Sequence, residues 1–120
     1  MILLVDDDPP IRGLMKRGLE AQGYHVLEAS DGDEALRVAA DYRGSIDLLV
    51  TDVVMPGLDG FTLVERLPGS HPGTRVLFIS GQADRSVGVR GGLKEGAHPF
   101  LLKPFTHARF LGAIRERLGT

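Results

Sequence analysis

The chain has 120 residues, 42% hydrophobic and 25% charged, enough for one ordinary globular core and too few for two. A formal net charge of −2 gives no general attraction to nucleic acid, and 0 cysteines exclude disulfides and thiolate metal sites, a composition suited to the cytoplasm. No apolar run approaches the ~20 residues that span a bilayer, and Met1 leads into a strand-like run rather than a signal peptide.

Met1 to Val5 is a continuous apolar run and reads as a strand; Asp8-Pro9-Pro10 then opens a helix, proline being tolerated in the first turn. Ile11, Leu14, Met15 and Leu19 recur at helical spacing, and Gly23 stops the helix ahead of a second strand, Tyr24 to Ala29. Asp31-Gly32 forms a turn, and Asp31 with Glu34 resembles a capping box for a helix running through Tyr42. Leu48 to Thr51 gives strand three, followed by a short helix carrying Phe61, Val64 and Leu67 that Pro68-Gly69 ends. Arg75 to Ser80 reads as strand four. A helix is expected from Asp84 to Gly92, weakened by Gly88, Gly91 and Gly92, each costing roughly 1 kcal/mol relative to alanine. Pro99 to Leu102 gives strand five, and Thr106 caps a last helix with a stripe of Phe110, Leu111, Ile114 and Leu118. Strands with little polar alternation, each separated by a helix, imply a parallel sheet covered on both faces, in a single domain over residues 1–120.

In such a sheet the loops at the carboxyl ends of the strands share one edge, where ligands bind. Asp6, Asp7, Asp52, Ser80 and Lys103 all fall there. Three clustered carboxylates repel one another unless a cation joins them, and ligation by oxygen alone points to a hard divalent ion, Mg²⁺ in a cell. Such an open site invites a phosphoryl group. A carboxylate can act as nucleophile and form an acyl phosphate, and solitary Asp52 is the best placed, with Asp6 and Asp7 as a metal-holding pair. Lys103 offers a point charge and Ser80 a hydroxyl to phosphoryl oxygens, while Gly81 lets the backbone come close.

These residues carry a resemblance. Leu3-Leu4-Val5-Asp6-Asp7-Asp8, Thr51-Asp52-Val53-Val54-Met55-Pro56 with Leu58-Asp59-Gly60, Phe78-Ile79-Ser80-Gly81 and Leu102-Lys103-Pro104-Phe105 together resemble the receiver domain of two-component response regulators, over essentially the whole chain. The resemblance implies a flavodoxin-like, doubly wound (βα)5 fold with strand order 2-1-3-4-5. It implies that Asp52 accepts phosphate from the phosphohistidine of a histidine kinase or histidine phosphotransfer domain. Asp7, Asp52 and the Val54 carbonyl would touch Mg²⁺ directly, Asp6 mainly through water, and the Lys103–Pro104 bond would be cis. It further implies a switch in which Ser80 moves toward the phosphoryl group and Phe100 turns inward behind it. That population shift would be driven by a charge change of about −1.5 to −2 on one carboxylate. The surface expected to change comprises the helix over 84–92, strand five and the last helix, and homodimerisation through it is compatible with the resemblance. The glycines of 84–92 would lower the cost of moving that helix. Val54, two residues after Asp52, is apolar and cannot orient an attacking water, whereas Gln82 can, which predicts a phosphoryl lifetime of minutes or more. The stretches Val76 to Gly81 and Leu101 to Thr106 are similar to receivers at the carboxyl end of hybrid sensor histidine kinases.

Simpler roles stand beside these. Asp8 is better read as a cap of the first helix than as a ligand. Ser80 alone would satisfy a strand-end backbone group, Phe100 alone would be core or interface, and Lys103 alone a solvated lysine. His25, His71, His98 and His107 are scattered and read as surface residues, and Arg109, Arg115 and Arg117 as a solvated helix face. Among whole functions, an aspartyl-nucleophile phosphatase using Asp6-x-Asp8 is the alternative, weakened by Pro9-Pro10 and by the lack of room for a cap domain. A degenerate docking receiver conflicts with the complete set of five residues. Flavin or nucleotide binding lacks a phosphate loop after strand one.

Overall fold

Ile2-Leu3-Leu4-Val5 has no polar position at any register, so it fits only where both faces of a sheet are covered. It forms β1 (Ile2–Val5), buried at every residue. The computed structural model describes residues 1–67, 73–80 and 100–119. Around β1 lie β2 (Val26–Ala29), β3 (Leu48–Asp52), β4 (Arg75–Ser80) and β5 (Phe100–Leu102), all parallel, in the order β2-β1-β3-β4-β5. This is the flavodoxin-like α/β order expected, and its direction reverses between β1 and β3, where such sheets open a crevice.

Alternate side chains of β1 go to opposite faces. Ile2 and Leu4 pack with Met15 and Leu19 of α1 (Pro9–Ala21) and with Phe110 and Ile114 of the last helix (His107–Leu118). Leu3 and Val5 pack with Ala35 and Ala39 of α2 (Gly32–Asp41) and Leu63 of α3 (Gly60–Arg66). The helix expected over 84–92 lies outside the described residues. Among the described residues no helix is long and apolar enough to cross a membrane.

The helix ends follow the local chemistry. Asp8, Asp31, Asp59 and Thr106 each accept a bond from a backbone N–H three residues on, capping the four described helices. The expected capping box at Asp31 is only half formed, because Glu34 reaches back to the Ser30 N–H, at 2.9 Å, instead of that of Asp31. Tyr24, expected in strand two, lies instead in the turn that closes α1. Gly23 adopts φ +92°, its N–H bonds the Glu20 carbonyl and the Tyr24 N–H bonds that of Leu19. That 6→1 and 5→2 pair closes the helix, so pairing with β1 begins only at Val26.

Two further expectations change. The stripe on α1 divides: Met15 and Leu19 are buried, whereas Ile11 and Leu14 are exposed. Arg117 is more than a solvated charge, since its Nε donates to the Val76 carbonyl at 2.9 Å while Arg75 Nη1 donates to the carbonyls of Arg117 and Leu118. Arg109 and Arg115 are exposed as expected.

Candidate functional site

Each strand delivers its last side chain, or the next one, to the same edge. Asp6 follows β1 directly and is 1% exposed. Its N–H bonds the Ala29 carbonyl at the end of β2, and its own carbonyl accepts from Arg12 Nη1 at 2.6 Å. Its carboxylate accepts the Asp8 N–H on Oδ1 at 2.8 Å, while Oδ2 is buried without a hydrogen-bond partner. Asp7 is exposed. Asp8 is exposed too, and its side chain is occupied in capping α1.

Asp52 is the last residue of β3, paired with Ile79 and 5% exposed. The Thr51 hydroxyl donates to its carbonyl at 3.0 Å, and the Val53 N–H bonds the Ile79 carbonyl, so both polar groups of the peptide that follows Asp52 are held. Gly60 fixes the returning loop: its N–H bonds the Val53 carbonyl at 2.8 Å, and a Cβ there would collide with the Asp52 carbonyl oxygen. Only glycine lets α3 start this close to Asp52.

Lys103 follows β5. Its N–H bonds the Ser80 carbonyl at 2.8 Å, and its Nζ lies 3.1 Å from Asp52 Oδ1. That carboxylate oxygen has the ammonium beside it but accepts no well-directed hydrogen bond. The Lys103–Pro104 peptide is cis, as expected. Ser80 is buried at the end of β4, opposite Leu102 of β5.

Ligand oxygens of Asp6, Asp7 and Asp52 all lie within 4.8 Å of one another. The electrostatic consequence is strong. Burial, then the charge of Asp6, push the Asp52 carboxyl up to about 7, against the opposing pull of Lys103. Burial, the largest single influence, loosens the Lys103 ammonium, but the charge and hydrogen bond of Asp52 together with the charges of Asp6 and Asp7 outweigh it, and its pKa is raised.

The other expected residues are distributed as follows. Val54 is 52% exposed, two residues beyond Asp52. Phe100 is 44% exposed and stacks on Phe78 at 5.1 Å between ring centroids, with Phe61 completing the group at 6.4 Å. Gly81 and Gln82 lie outside the described residues, as do His71 and His98. His25 and His107 are exposed, and neither joins the acidic group. Arg12 and the close approach at Gly60 are what the sequence reading missed. Gly60 sat in a receiver-like motif without a role of its own, and Arg12 had no mark beyond its place one turn after Asp8.

The chain has relatives along nearly its whole length. The family model described as response regulator receiver domain matches residues 2–115. The chain is 37% identical over 117 residues to the sensor kinase CckA of Brucella abortus (strain 2308), which covers 98% of this chain and 12% of that protein. It is 39% identical over 117 residues to the transcriptional regulatory protein CpxR of Escherichia coli (strain K12), covering 98% of this chain and 48% of that one. The chain thus spans less than half the length of these two curated relatives. The crystal structure of the receiver domain from the hybrid histidine kinase CckA aligns with a TM-score of 0.81 at 38% identity, over 98% of this chain and 97% of that one. A match that runs from β1 into the last helix leaves no element of the described fold outside it, and the chain belongs to the response regulator receiver domain family.

Proposed function

We propose that Asp52 is the phosphoacceptor of this receiver, taking its phosphoryl group from the phosphohistidine of a histidine kinase or histidine phosphotransfer domain, and that residues 1–120 act as a single receiver domain. One observation carries the reading: three carboxylates with ligand oxygens within 4.8 Å meet an ammonium 3.1 Å from one of them.

The residues fit a hard divalent cation. The donors are all oxygen, the acids crowd one another, and Asp6 Oδ2 is buried without a partner. Asp7, Asp52 and the Val54 carbonyl would hold Mg²⁺ directly, with Asp6 acting through water. When bound, the ion offsets the charge of the carboxylates and of the phosphoryl oxygens brought among them.

In the transfer, an Asp52 carboxylate oxygen attacks phosphorus and the P–N bond to the imidazole breaks, its electron pair staying on the ring nitrogen; an acyl phosphate remains. Lys103, already beside Asp52, takes one phosphoryl oxygen, and the Ser80 hydroxyl and Gly81 N–H serve the others. Movement of Ser80 and inward rotation of Phe100 would then alter the surface that carries β5 and the last helix. The donor meets the exposed apolar side chains near this edge, Ile11 and Leu14 of α1 and Val54. We take the cytoplasm as the compartment, from the cysteine-free composition.

Incubation with Mg²⁺ and acetyl phosphate should give a phosphate mass adduct on the wild type and none on Asp52→Asn or in excess EDTA. An adduct retained by Asp52→Asn would overturn the assignment. The phosphatase alternative would need Asp8 as general acid, and that side chain is exposed and engaged in capping α1. Once formed, the acyl phosphate should last minutes or more, because exposed Val54 offers an attacking water no hydrogen bond. Val54→Asn should shorten that lifetime, read by the decay of the adduct after acetyl phosphate is removed.

A further inference from the structure

Among the described residues outside the acidic site, Arg12, one turn into α1, is a cationic group bound to it. Its Nη1 donates to the Asp6 main-chain carbonyl at 2.6 Å, a short, charge-assisted bond. Its Nε faces Glu28 Oε1 of β2 at 3.3 Å, and the other Glu28 oxygen is held by Lys16 Nζ at 3.2 Å. The guanidinium is thus aimed from two sides, and its planar fork can grip a carbonyl and a carboxylate at once.

Asp6 lies beyond the last residue of β1, where the sheet ladder stops constraining the chain. Its N–H is taken by the Ala29 carbonyl and its carbonyl by Arg12, so both polar groups of its backbone are anchored. The anchored carbonyl belongs to the Asp6–Asp7 peptide, which sets the direction of both carboxylates. The carboxylate carried by this anchored residue has Oδ1 on the Asp8 N–H and Oδ2 buried and unpartnered.

We infer that Arg12, braced by Glu28, is a positioning residue for divalent-ion binding: it fixes the Asp6–Asp7 peptide so that the two strand-end carboxylates stand ready beside Asp52. This rests on the proposed metal-dependent role of the site. Partners that orient metal ligands without touching the metal typically change affinity 10–100-fold when removed, and the lower figure suits a contact to backbone rather than to a ligand atom.

Lys16 supplies the control, since it shares Glu28 with Arg12 but does not touch Asp6. Mg²⁺ binding is measured by calorimetry on the wild type, Arg12→Met, Arg12→Lys and Lys16→Met, with amide spectra of each in EDTA. Arg12→Met should weaken Mg²⁺ about tenfold and shift the Asp7 and Asp8 amide signals before any metal is added. Lys16→Met should do neither, although it too breaks an ion pair between α1 and β2. Arg12→Lys, whose ammonium lacks the fork, should fall between, and it serves where Arg12→Met does not fold. Wild-type affinity in both Arg12 variants, or equal losses in Lys16→Met, would overturn the inference and reduce Arg12 to a structural brace. A wild type that binds no Mg²⁺ would overturn the metal-dependent role itself, which the other outcomes leave standing.

Discussion

Asp52 sits where an ionised carboxylate is costly, and that cost has a definite sign. Burial and the neighbouring Asp6 raise its pKa from 3.8 to about 7, despite Lys103. Between those two values the folded chain holds a proton that the unfolded chain has released, so stability falls as pH rises from about 4 to 7 and stays low above. With each tenfold change in proton affinity worth about 1.4 kcal/mol, the cost is on the order of 2–4 kcal/mol in the absence of metal. Asp52→Asn mimics the protonated form and should be more stable than wild type by a few kcal/mol at pH 8 in EDTA, the gap closing toward pH 4. Urea unfolding of both proteins at several pH values measures this, and a gap independent of pH would contradict it. Millimolar Mg²⁺ should shrink the gap, because a cation that binds only the folded, ionised site returns part of the lost stability. Lys103 acts in the opposite pH region: its raised pKa adds stability that is present at neutral pH and lost once the ammonium deprotonates in strong alkali.

At the scale of elements, the loop from Asp52 to α3 is held by geometry that a single methyl group would spoil. A Cβ at Gly60 would meet the Asp52 carbonyl oxygen, a backbone atom fixed within the β3–β4 ladder that cannot yield as a flexible side chain would. Gly60→Ala should therefore cost about 1–3 kcal/mol and also slow acetyl-phosphate labelling of Asp52, since the loop bearing Val54 must shift. Labelling rate and denaturant midpoint on the same variant check both effects; unchanged labelling in a destabilised protein would separate packing from the site. The existence and order of the described elements were legible in the sequence because apolar runs, proline, glycine and capping acids agreed with one another. Their limits were less so. Tyr24 carries a strand-forming side chain, yet its N–H is spent on the Leu19 carbonyl, a bond that depends on Gly23 turning left-handed. Ile11 and Leu14 fit the helical period as well as Met15 and Leu19 do, because periodicity locates a face without saying what covers it.

Across the whole molecule, the strand-end acids and Lys103 were legible because a parallel sheet sends every strand's carboxyl end to one edge. Arg12 was not, because its partners are a main-chain carbonyl and Glu28 of β2, brought near only by the pairing of β1 with β2. The surface around that edge carries one further consequence. Leu14 is 61% exposed and Ile11 lies one turn before it on the same face of α1, so two large apolar side chains meet solvent close to Asp6–Asp8. Neither belongs to the core, so polar replacement costs little stability, whereas a protein donor docking there would lose apolar contact. Acetyl phosphate needs only the site; a phosphohistidine presented by a folded partner needs the surface as well. Leu14→Asp should leave labelling by acetyl phosphate and the unfolding midpoint near wild type while slowing transfer from a phosphorylated histidine donor about tenfold or more. Parallel time courses with the two donors decide it: equal slowing with both would mean that α1 reshapes the site, and no slowing with either would place the partner's footprint elsewhere on the molecule.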